Sequence, residues 1–142
     1  MKVLIFGLPG SGKTTLAKPF AELIGGVHIN ADAVREKYDD WDFTPSGRLR
    51  QAQRMRYIAD GVVMSGKVAV ADFVAPTDVV RHNFGPDFTV WMDTIKHSQY
   101  EDTNKMFEAP GKVDYHVAEW FSDTHAQLVD VVKSWMRKNN VV

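Results

Sequence analysis

The chain has 142 residues, a formal net charge of −1 and no cysteine. A chain of this length is expected to form one domain, over residues 1–142, that buries roughly two-thirds of its unfolded surface. The lack of cysteine excludes a disulfide framework and a thiolate metal site, and the small net charge gives no overall field for nucleic acid or anionic lipid. The apolar runs are too short to cross a bilayer and the N-terminus lacks a signal-peptide pattern, so we expect a cytoplasmic protein without a membrane partner.

A strand and a phosphate-binding loop open the chain. The apolar run from Lys2 to Phe6 predicts a strand, and residues 7–14 directly after it fit the pattern G-x-x-x-x-G-K-[ST]. Glycines in this loop let the backbone turn tightly and direct successive N–H groups at a phosphate. The sequence therefore predicts a nucleoside-triphosphate site in which the binding residues are Gly7, Pro9, Gly10, Ser11, Gly12, Lys13, Thr14 and Thr15.

Two residues of this loop have distinct predicted roles. Lys13 is expected to reach the β- and γ-phosphates of ATP as a catalytic cation, and Thr14 is expected to place its hydroxyl on Mg²⁺. The helix that opens at Gly12 turns the positive end of its dipole toward the phosphates. We expect this helix to be kinked or loosened at Pro19, which lacks an N–H, and to end near Gly25.

The second predicted strand is short and is followed by a carboxylate. Val27 to Ile29 predicts the strand, and a short helix continues to about Tyr38. Asp32 comes just past the strand, at the edge where ligands bind in open α/β sheets. We expect its carboxylate to act catalytically, by accepting the proton of an acceptor hydroxyl or by binding Mg²⁺ through water. The simpler alternative is that Asp32 caps the helix that follows.

A long helix and a buried strand come next. Thr44 and Pro45 suit the N-cap and first position of a helix that continues to Gly66. Lys67 to Ala71 predicts a central strand that ends at Asp72, in the manner of a Walker B carboxylate. Asp72 is therefore a predicted Mg²⁺ ligand. Its alternative role is to cap the next short helix.

The last part of the chain combines regular and irregular segments. A short helix is predicted over 77–83 and a fourth strand over 88–92, and the polar stretch from about 93 to 112 is typical of a lid or binding loop. Alternation over 113–117 predicts a last strand, and an apolar stripe over 128–136 predicts a closing amphipathic helix. The alternating elements predict the α/β class: a three-layer α/β/α P-loop NTPase fold with a mostly parallel central sheet.

Four further segments carry a family resemblance. Residues 30–35 read N-A-D-A-V-R, residues 43–51 read F-T-P-S-G-R-L-R-Q, residues 72–76 read D-F-V-A-P and residues 107–110 read F-E-A-P. With the P-loop, they resemble the adenylylsulfate (APS) kinase family over roughly residues 1–118. These small kinases phosphorylate the ribose 3′-hydroxyl of adenosine 5′-phosphosulfate. The corresponding family patterns are D-G-D-N-x-R, F-S-x-x-x-R-x-x-N, S-F-I-S-P and Y-E-x-P.

The resemblance implies an ATP- and Mg²⁺-dependent kinase with a small nucleotide as acceptor. Phe43 and Phe73 correspond to the family pair that sandwiches the acceptor's adenine. Arg48 corresponds to the family's acceptor-binding arginine, whose guanidinium can grip phosphate or sulfate with two nitrogens. The implied substrate-binding residues are Arg35, Phe43, Arg48, Gln51, Phe73 and Val74.

The sequence departs from the family patterns mainly on the acceptor side. Asn30 and Ala31 stand in place of Asp-Gly, Gln51 in place of Asn and Asp72 in place of Ser, and the lid is shorter. A phage-type kinase that phosphorylates hydroxymethyl-pyrimidines in DNA is therefore an alternative. In that case the phosphate backbone would be held by Arg48, Arg50, Arg54 and Arg56.

Two other classes of protein use the same loop. A P-loop NTPase acting as a switch would hydrolyse nucleotide without an acceptor, and an idle nucleotide-binding module would bind it without turnover. A polar lid and an aspartate after the second strand favour transfer to an acceptor. The sequence leaves the oligomeric state open, and a homodimer is compatible with it.

Overall fold

Five short apolar runs form one parallel sheet in the structure, a computed structural model that describes residues 1–141. The strand order is β2-β3-β1-β4-β5, and each neighbouring pair is parallel. The strands are β1 (Lys2–Gly7), β2 (Val27–Asn30), β3 (Ala69–Asp72), β4 (Phe88–Met92) and β5 (Tyr115–Val117).

Helices cover both faces of this sheet. One apolar cluster joins β1, β3 and β4 to two helices through residues such as Phe20 and Leu128, and a second cluster covers the opposite face through residues such as Met55 and Phe84. The helices are α1 (Lys13–Ile24), α2 (Ala31–Tyr38), α3 (Pro45–Met64), α4 (Asp78–Phe84), α5 (Glu101–Met106) and α6 (Thr124–Lys138). The predicted α/β class and three-layer arrangement are therefore confirmed.

The central strand explains why the two clusters meet so closely. Val3 and Ile5 lie in the cluster with α1 and α6, whereas Leu4 and Phe6 lie in the cluster with α3 and α4. All four side chains are fully buried. A strand with helices on both faces needs apolar residues at consecutive positions, which is the pattern seen in the sequence.

Most predicted boundaries match the structure within one or two residues. Helix α1 runs through Pro19 without a break and ends at Ile24. Its C-cap is Gly25, whose left-handed backbone (φ 69°) directs its N–H at the carbonyls of the last turn. Thr44 caps α3 by accepting from the Gly47 N–H at 3.2 Å. The polar stretch 93–112 was expected to be irregular and instead contains the short helix α5.

No helix within residues 1–141 combines the length and the apolar composition that a membrane-spanning helix requires.

Candidate active site

The P-loop connects β1 to α1, and two of its glycines are required by close neighbours. A Cβ on Gly7 would lie 2.5 Å from the Met92 carbonyl oxygen. Gly12 has a left-handed backbone (φ 95°), and a Cβ there would lie 2.5 Å from the indole of Trp120. A larger residue at either position would have to displace backbone or an aromatic ring, so the loop can take this shape only with glycine.

Lys13 is the first residue of α1, and its ammonium donates a hydrogen bond to the Leu8 carbonyl at 3.1 Å. Burial lowers the pKa of Lys13 to about 8, an effect that the nearby carboxylates of Asp72 and Asp32 oppose. The side chain therefore carries a cation that is poorly solvated. Such a cation gains most when a phosphate approaches it.

Oxygen atoms suited to a divalent cation meet beside Lys13. The Thr14 hydroxyl donates to Asp72 Oδ1 at 3.1 Å, and Asp72 is buried at the end of β3. Residues 1–141 contain no group of three or more His, Cys, Asp or Glu side chains arranged to hold a metal by themselves. One hydroxyl and one carboxylate, completed by phosphate oxygens and water, form the donor set that Mg²⁺ prefers, so the residues present fit this ion.

Asp32 lies in the first turn of α2. The N-cap of α2 is Asn30, whose Oδ1 accepts from the Ala33 N–H at 2.9 Å, so Asp32 is not the cap. The Asp32 side chain is exposed, and its negative charge partly offsets the lowering by burial of the pKa of both Lys13 and Arg35. In the same way, Thr77 caps α4 and the capping alternative for Asp72 is excluded.

Two arginines hold the loop before α3. Arg35 is buried and donates to the carbonyls of Asp40 and Asp42 at 2.9 and 3.2 Å, with its guanidinium 4.3 Å from the centre of the Phe43 ring. Arg48 is also buried and donates to the Phe43 carbonyl at 2.9 Å. These contacts hold the half-exposed Phe43 ring at the wall of a large cavity.

The remaining predicted acceptor residues are anchored in the protein. Gln51 donates to the Ala31 carbonyl at 3.0 Å, which links α3 to the residue before Asp32. Phe73 is buried and packs edge-on against Phe84, with ring centroids 5.7 Å apart. Phe43 and Phe73 thus differ in exposure, and their predicted role as a pair around adenine stays a prediction.

The loop after β3 has a backbone that is unusual for its sequence. Ala75 adopts a left-handed conformation (φ 42°), and its carbonyl accepts from Arg81 Nε at 2.8 Å. Arg81 also donates to the Glu108 carbonyl at 2.6 Å, at the end of the predicted lid. A strained residue at a ligand cavity persists only where its surroundings fix it, and Arg81 supplies that constraint.

One cavity of about 1570 Å³ joins the P-loop to the acceptor side. Single-ligand pockets usually measure roughly 300–1,000 Å³, so this one has room for two nucleotide-sized molecules. Among the predicted site residues, Gly7 and Ser11 do not line it; Ser11 is buried and its hydroxyl has no hydrogen-bond partner within residues 1–141. The cavity is lined by the other predicted residues: Pro9, Gly10, Gly12, Lys13, Thr14, Thr15, Asp32, Arg35, Phe43, Arg48, Gln51, Asp72, Phe73 and Val74.

The arginines of α3 do not form a free basic stripe. Arg50 pairs with Asp40 at 2.8 Å and with Asp42 at 3.1 Å, and Arg54 pairs with Asp40 at 2.8 Å. Hydrogen bonds from Arg50 and Arg54 hold the pKa of Asp40 well below its usual range. In these ion pairs the guanidinium groups that would have to bind DNA phosphates are already paired with carboxylates. The geometry therefore gives no support to the DNA alternative.

His28 belongs to the site but was not found from the sequence. Its Nε2 donates to Asp72 Oδ2, and its side chain is 17% exposed. The sequence signal is weak, because only the pairing of β2 with β3 brings this strand residue to the carboxylate.

Comparison with known proteins identifies the family of this chain. The sequence model of the family described as Adenylylsulphate kinase matches residues 1–110. A protein named Probable adenylyl-sulfate kinase from Aeropyrum pernix is 32% identical over 89 residues, which are 56% of this chain and 47% of that protein. The Adenylate kinase of Pyrococcus furiosus is 34% identical over 85 residues, 59% of this chain and 36% of that protein. The chain thus spans about half or less of these curated relatives.

A solved structure supports the fold independently. The APS kinase of Mycobacterium tuberculosis in complex with AMPPNP and APS superposes with a TM-score of 0.77 at 16% sequence identity, over 93% of this chain and 96% of that one. This likeness confirms the predicted three-layer P-loop fold with its parallel sheet.

Proposed function

The chain belongs to the adenylylsulphate kinase family, and we propose that it acts as one kinase domain that transfers the γ-phosphoryl group of ATP to the 3′-hydroxyl of adenosine 5′-phosphosulfate. One observation supports the proposal above all: Lys13, Thr14, Asp32 and Arg48 all line one cavity. The neighbour from Mycobacterium tuberculosis, solved with AMPPNP and APS, supports the same pair of ligands.

The nucleotide half of the cavity would bind and polarise the phosphates. Backbone N–H groups of the P-loop face the phosphates of ATP, and Lys13 stabilises the charge that develops on the transferred group. Mg²⁺, held by Thr14 and Asp72, would supply further neutralisation of the phosphate oxygens. Because Lys13 is poorly solvated before ATP binds, water screens its charge less, and its attraction to the phosphate is stronger than that of an exposed lysine.

Asp32 would act on the acceptor. Its exposed carboxylate accepts the proton of the 3′-hydroxyl as that oxygen forms its bond to the γ-phosphorus and the bond from the γ-phosphorus to the bridging oxygen breaks. The products are ADP, the 3′-phosphorylated acceptor and one proton. Asn30 relieves Asp32 of any capping role, so the carboxylate is free for this task.

The acceptor half would position the sulfonucleotide. Phe43 and Phe73 offer aromatic surface to the adenine, while Arg35 and Arg48 keep donor nitrogens beside the anionic sulfate and phosphate. Gln51 and Val74 complete this wall. The homodimer and the cytoplasmic location stay predictions from the sequence.

Labelled ATP tests the proposal directly. The protein is incubated with Mg²⁺, γ-labelled ATP and one acceptor per tube: adenosine 5′-phosphosulfate, AMP, or DNA that contains hydroxymethyl-pyrimidine. We expect label only in the sulfonucleotide, on its 3′-oxygen. Label in AMP or DNA alone would reject the proposed acceptor, and phosphate release without any acceptor would indicate a switch NTPase.

A further inference from the structure

Two departures from the family patterns lie side by side in the fold. Asn30 ends β2 and Asp72 ends β3, and the two residues are register partners of the parallel pair. The patterns have an aspartate at the first position and a serine at the second, whereas this chain has an amide and a carboxylate. Asn30 Nδ2 lies 3.2 Å from Asp72 Oδ1, so the two exchanged groups are in direct contact.

The orientation of the Asn30 amide is fixed by its neighbours. Its oxygen accepts from the Ala33 N–H at 2.9 Å, which leaves its nitrogen to donate toward Thr14 Oγ1 and Asp72 Oδ1, each at 3.2 Å. A carboxylate at position 30 could keep the first contact but would bring a second negative charge against Asp72. Two carboxylates that close cannot both stay ionised without a cost, so the amide is required by the acid beside it.

His28 completes the surroundings of Asp72. It lies two residues before Asn30 on the same side of β2, and its Nε2 donates to the second carboxylate oxygen, Oδ2. Both oxygens of a carboxylate that is only 2% exposed therefore have hydrogen-bond donors. Buried charges are retained where such partners exist, and the partners also fix the direction of the free lone pairs.

We propose that Asn30 and His28 are positioning residues for Asp72, and that the amide at 30 and the carboxylate at 72 are one compensated exchange. The single carboxylate of the proposed metal site then comes from Asp72 at the end of β3. The hydrogen-bond donors that fix its orientation, His28 and Asn30, come from β2. This inference rests on the proposed function, because it takes Asp72 as a residue that holds Mg²⁺.

Metal binding without turnover tests the proposal. Mn²⁺ stands in for Mg²⁺, and its binding to the protein with AMPPNP is followed by electron paramagnetic resonance, with no acceptor present. We expect Asp72→Asn to weaken Mn²⁺ binding by about tenfold or more. The double variant Asn30→Asp with Asp72→Asn returns the carboxylate to β2 and should recover most of that loss. A double variant no better than Asp72→Asn would overturn the exchange.

Thermal melting of the metal-free protein gives a second measurement of the pair. We expect Asn30→Asp alone to lower the melting temperature by several degrees, and the double variant to melt closer to the wild type than the sum of the single changes predicts. A variant that is partly unfolded could bind metal poorly for that reason alone. Additive effects of the two substitutions on the melting temperature would therefore overturn the exchange whatever the metal binding of the variants.

His28 is tested with a conservative variant and a matched control. We expect His28→Ala to weaken Mn²⁺ binding about tenfold, and His28→Gln, which can donate from its amide nitrogen, to bind more tightly than His28→Ala. AMPPNP binding without metal should be the same in both. His116→Ala removes a similar histidine–aspartate contact, to Asp93 at 2.9 Å, and should leave Mn²⁺ binding unchanged. Equal Mn²⁺ affinity in His28→Ala and the wild type would overturn its role.

Measurements on the wild type distinguish a failure of the proposed function from a failure of this inference alone. If it fails to bind Mn²⁺ with AMPPNP, the proposed function fails together with this inference. If it binds both and phosphorylates an acceptor, while the exchange variants behave additively, only the inference is wrong.

Discussion

The two halves of the cavity are built by different means. The proposed nucleotide half is built on the P-loop and on side chains that follow the ends of β1 and β3, and Gly7 and Gly12 fix the shape of the loop. The acceptor half consists of long side chains, such as Arg35 and Arg48, that are braced against loop carbonyls. The first half can be written as a contiguous motif, whereas the second exists only after distant segments have packed together. A substitution in the first half should therefore remove chemistry, and one in the second should shift the position of a ligand.

The largest effect is expected in the nucleotide half, for Lys13→Ala. We expect phosphoryl transfer to fall by roughly a thousandfold, because the lost ammonium stabilises charge in the transition state. The melting temperature should hardly change, since Lys13 makes one hydrogen bond to a loop carbonyl. Transfer rates and melting curves are compared with Lys18→Ala, an exposed lysine on the same helix. Wild-type turnover in Lys13→Ala would contradict the claim that substitutions in the nucleotide half remove chemistry.

Asp32→Asn tests the residue that lies between the two halves. The amide keeps the shape of the side chain but cannot accept the proton, so kcat should fall by about a hundredfold while ATP binding persists. Glu36→Gln, on the exposed side of the same helix, is the control. If Asp32→Asn melts much earlier and keeps its rate per folded molecule, Asp32 is a structural residue.

Arg48→Ala should show the behaviour of the acceptor half. We expect KM for the acceptor to rise about tenfold with a smaller change in kcat, because a charge-assisted contact and the brace on Phe43 are both lost. Arg56→Ala removes an exposed arginine of the same helix that does not line the cavity, and should leave KM unchanged. A fall in kcat with constant KM would place Arg48 with the chemistry.

The smallest effect concerns pH and the cation of the nucleotide half. The pKa of Lys13 is lowered to about 8 by burial, so the unliganded protein loses this charge as the pH rises through that value. Nucleotide affinity should be constant well below the pKa and fall roughly fourfold between about pH 7 and pH 8.5. Calorimetry in buffers of different ionisation enthalpy should show proton uptake on binding. This account would be contradicted if the nucleotide affinity of the wild type did not change with pH, as is expected of Lys13→Ala.

The backbone of the proposed nucleotide half could be predicted from the sequence, although Gly7 and Ser11 do not line the cavity and the binding roles stay predictions. The consecutive apolar residues of β1 predict a buried strand, and the glycine spacing after it predicts the P-loop. Thr14, in the helix after this loop, meets Asp72 because β1 and β3 are parallel and end at the same edge of the sheet. The bounds of α3 also followed from local signals, since Thr44 caps the helix and Pro45 begins it.

The acceptor half shows where sequence reasoning ends. Arg48 donates to the hydroxyl of Thr103, 55 residues away, and no local pattern contains that contact. The polar helix α5 was missed because it is six residues long and has no apolar stripe. His28 was missed because its contact with Asp72 depends on how two strands pair, and a lone histidine in a short strand carries no signal of its own.

The position of β1 at the centre of the sheet sets a condition on biosynthesis. This strand leaves the ribosome before the other four strands of the sheet, but its two neighbours begin only at Ala69 and Phe88. At roughly 5–20 residues per second, the four apolar side chains of Val3 to Phe6 wait several seconds for a partner strand. During that time the nascent chain exposes an unpaired apolar strand. This strand order therefore requires that the strand avoid contact with other chains until its neighbours have been synthesised.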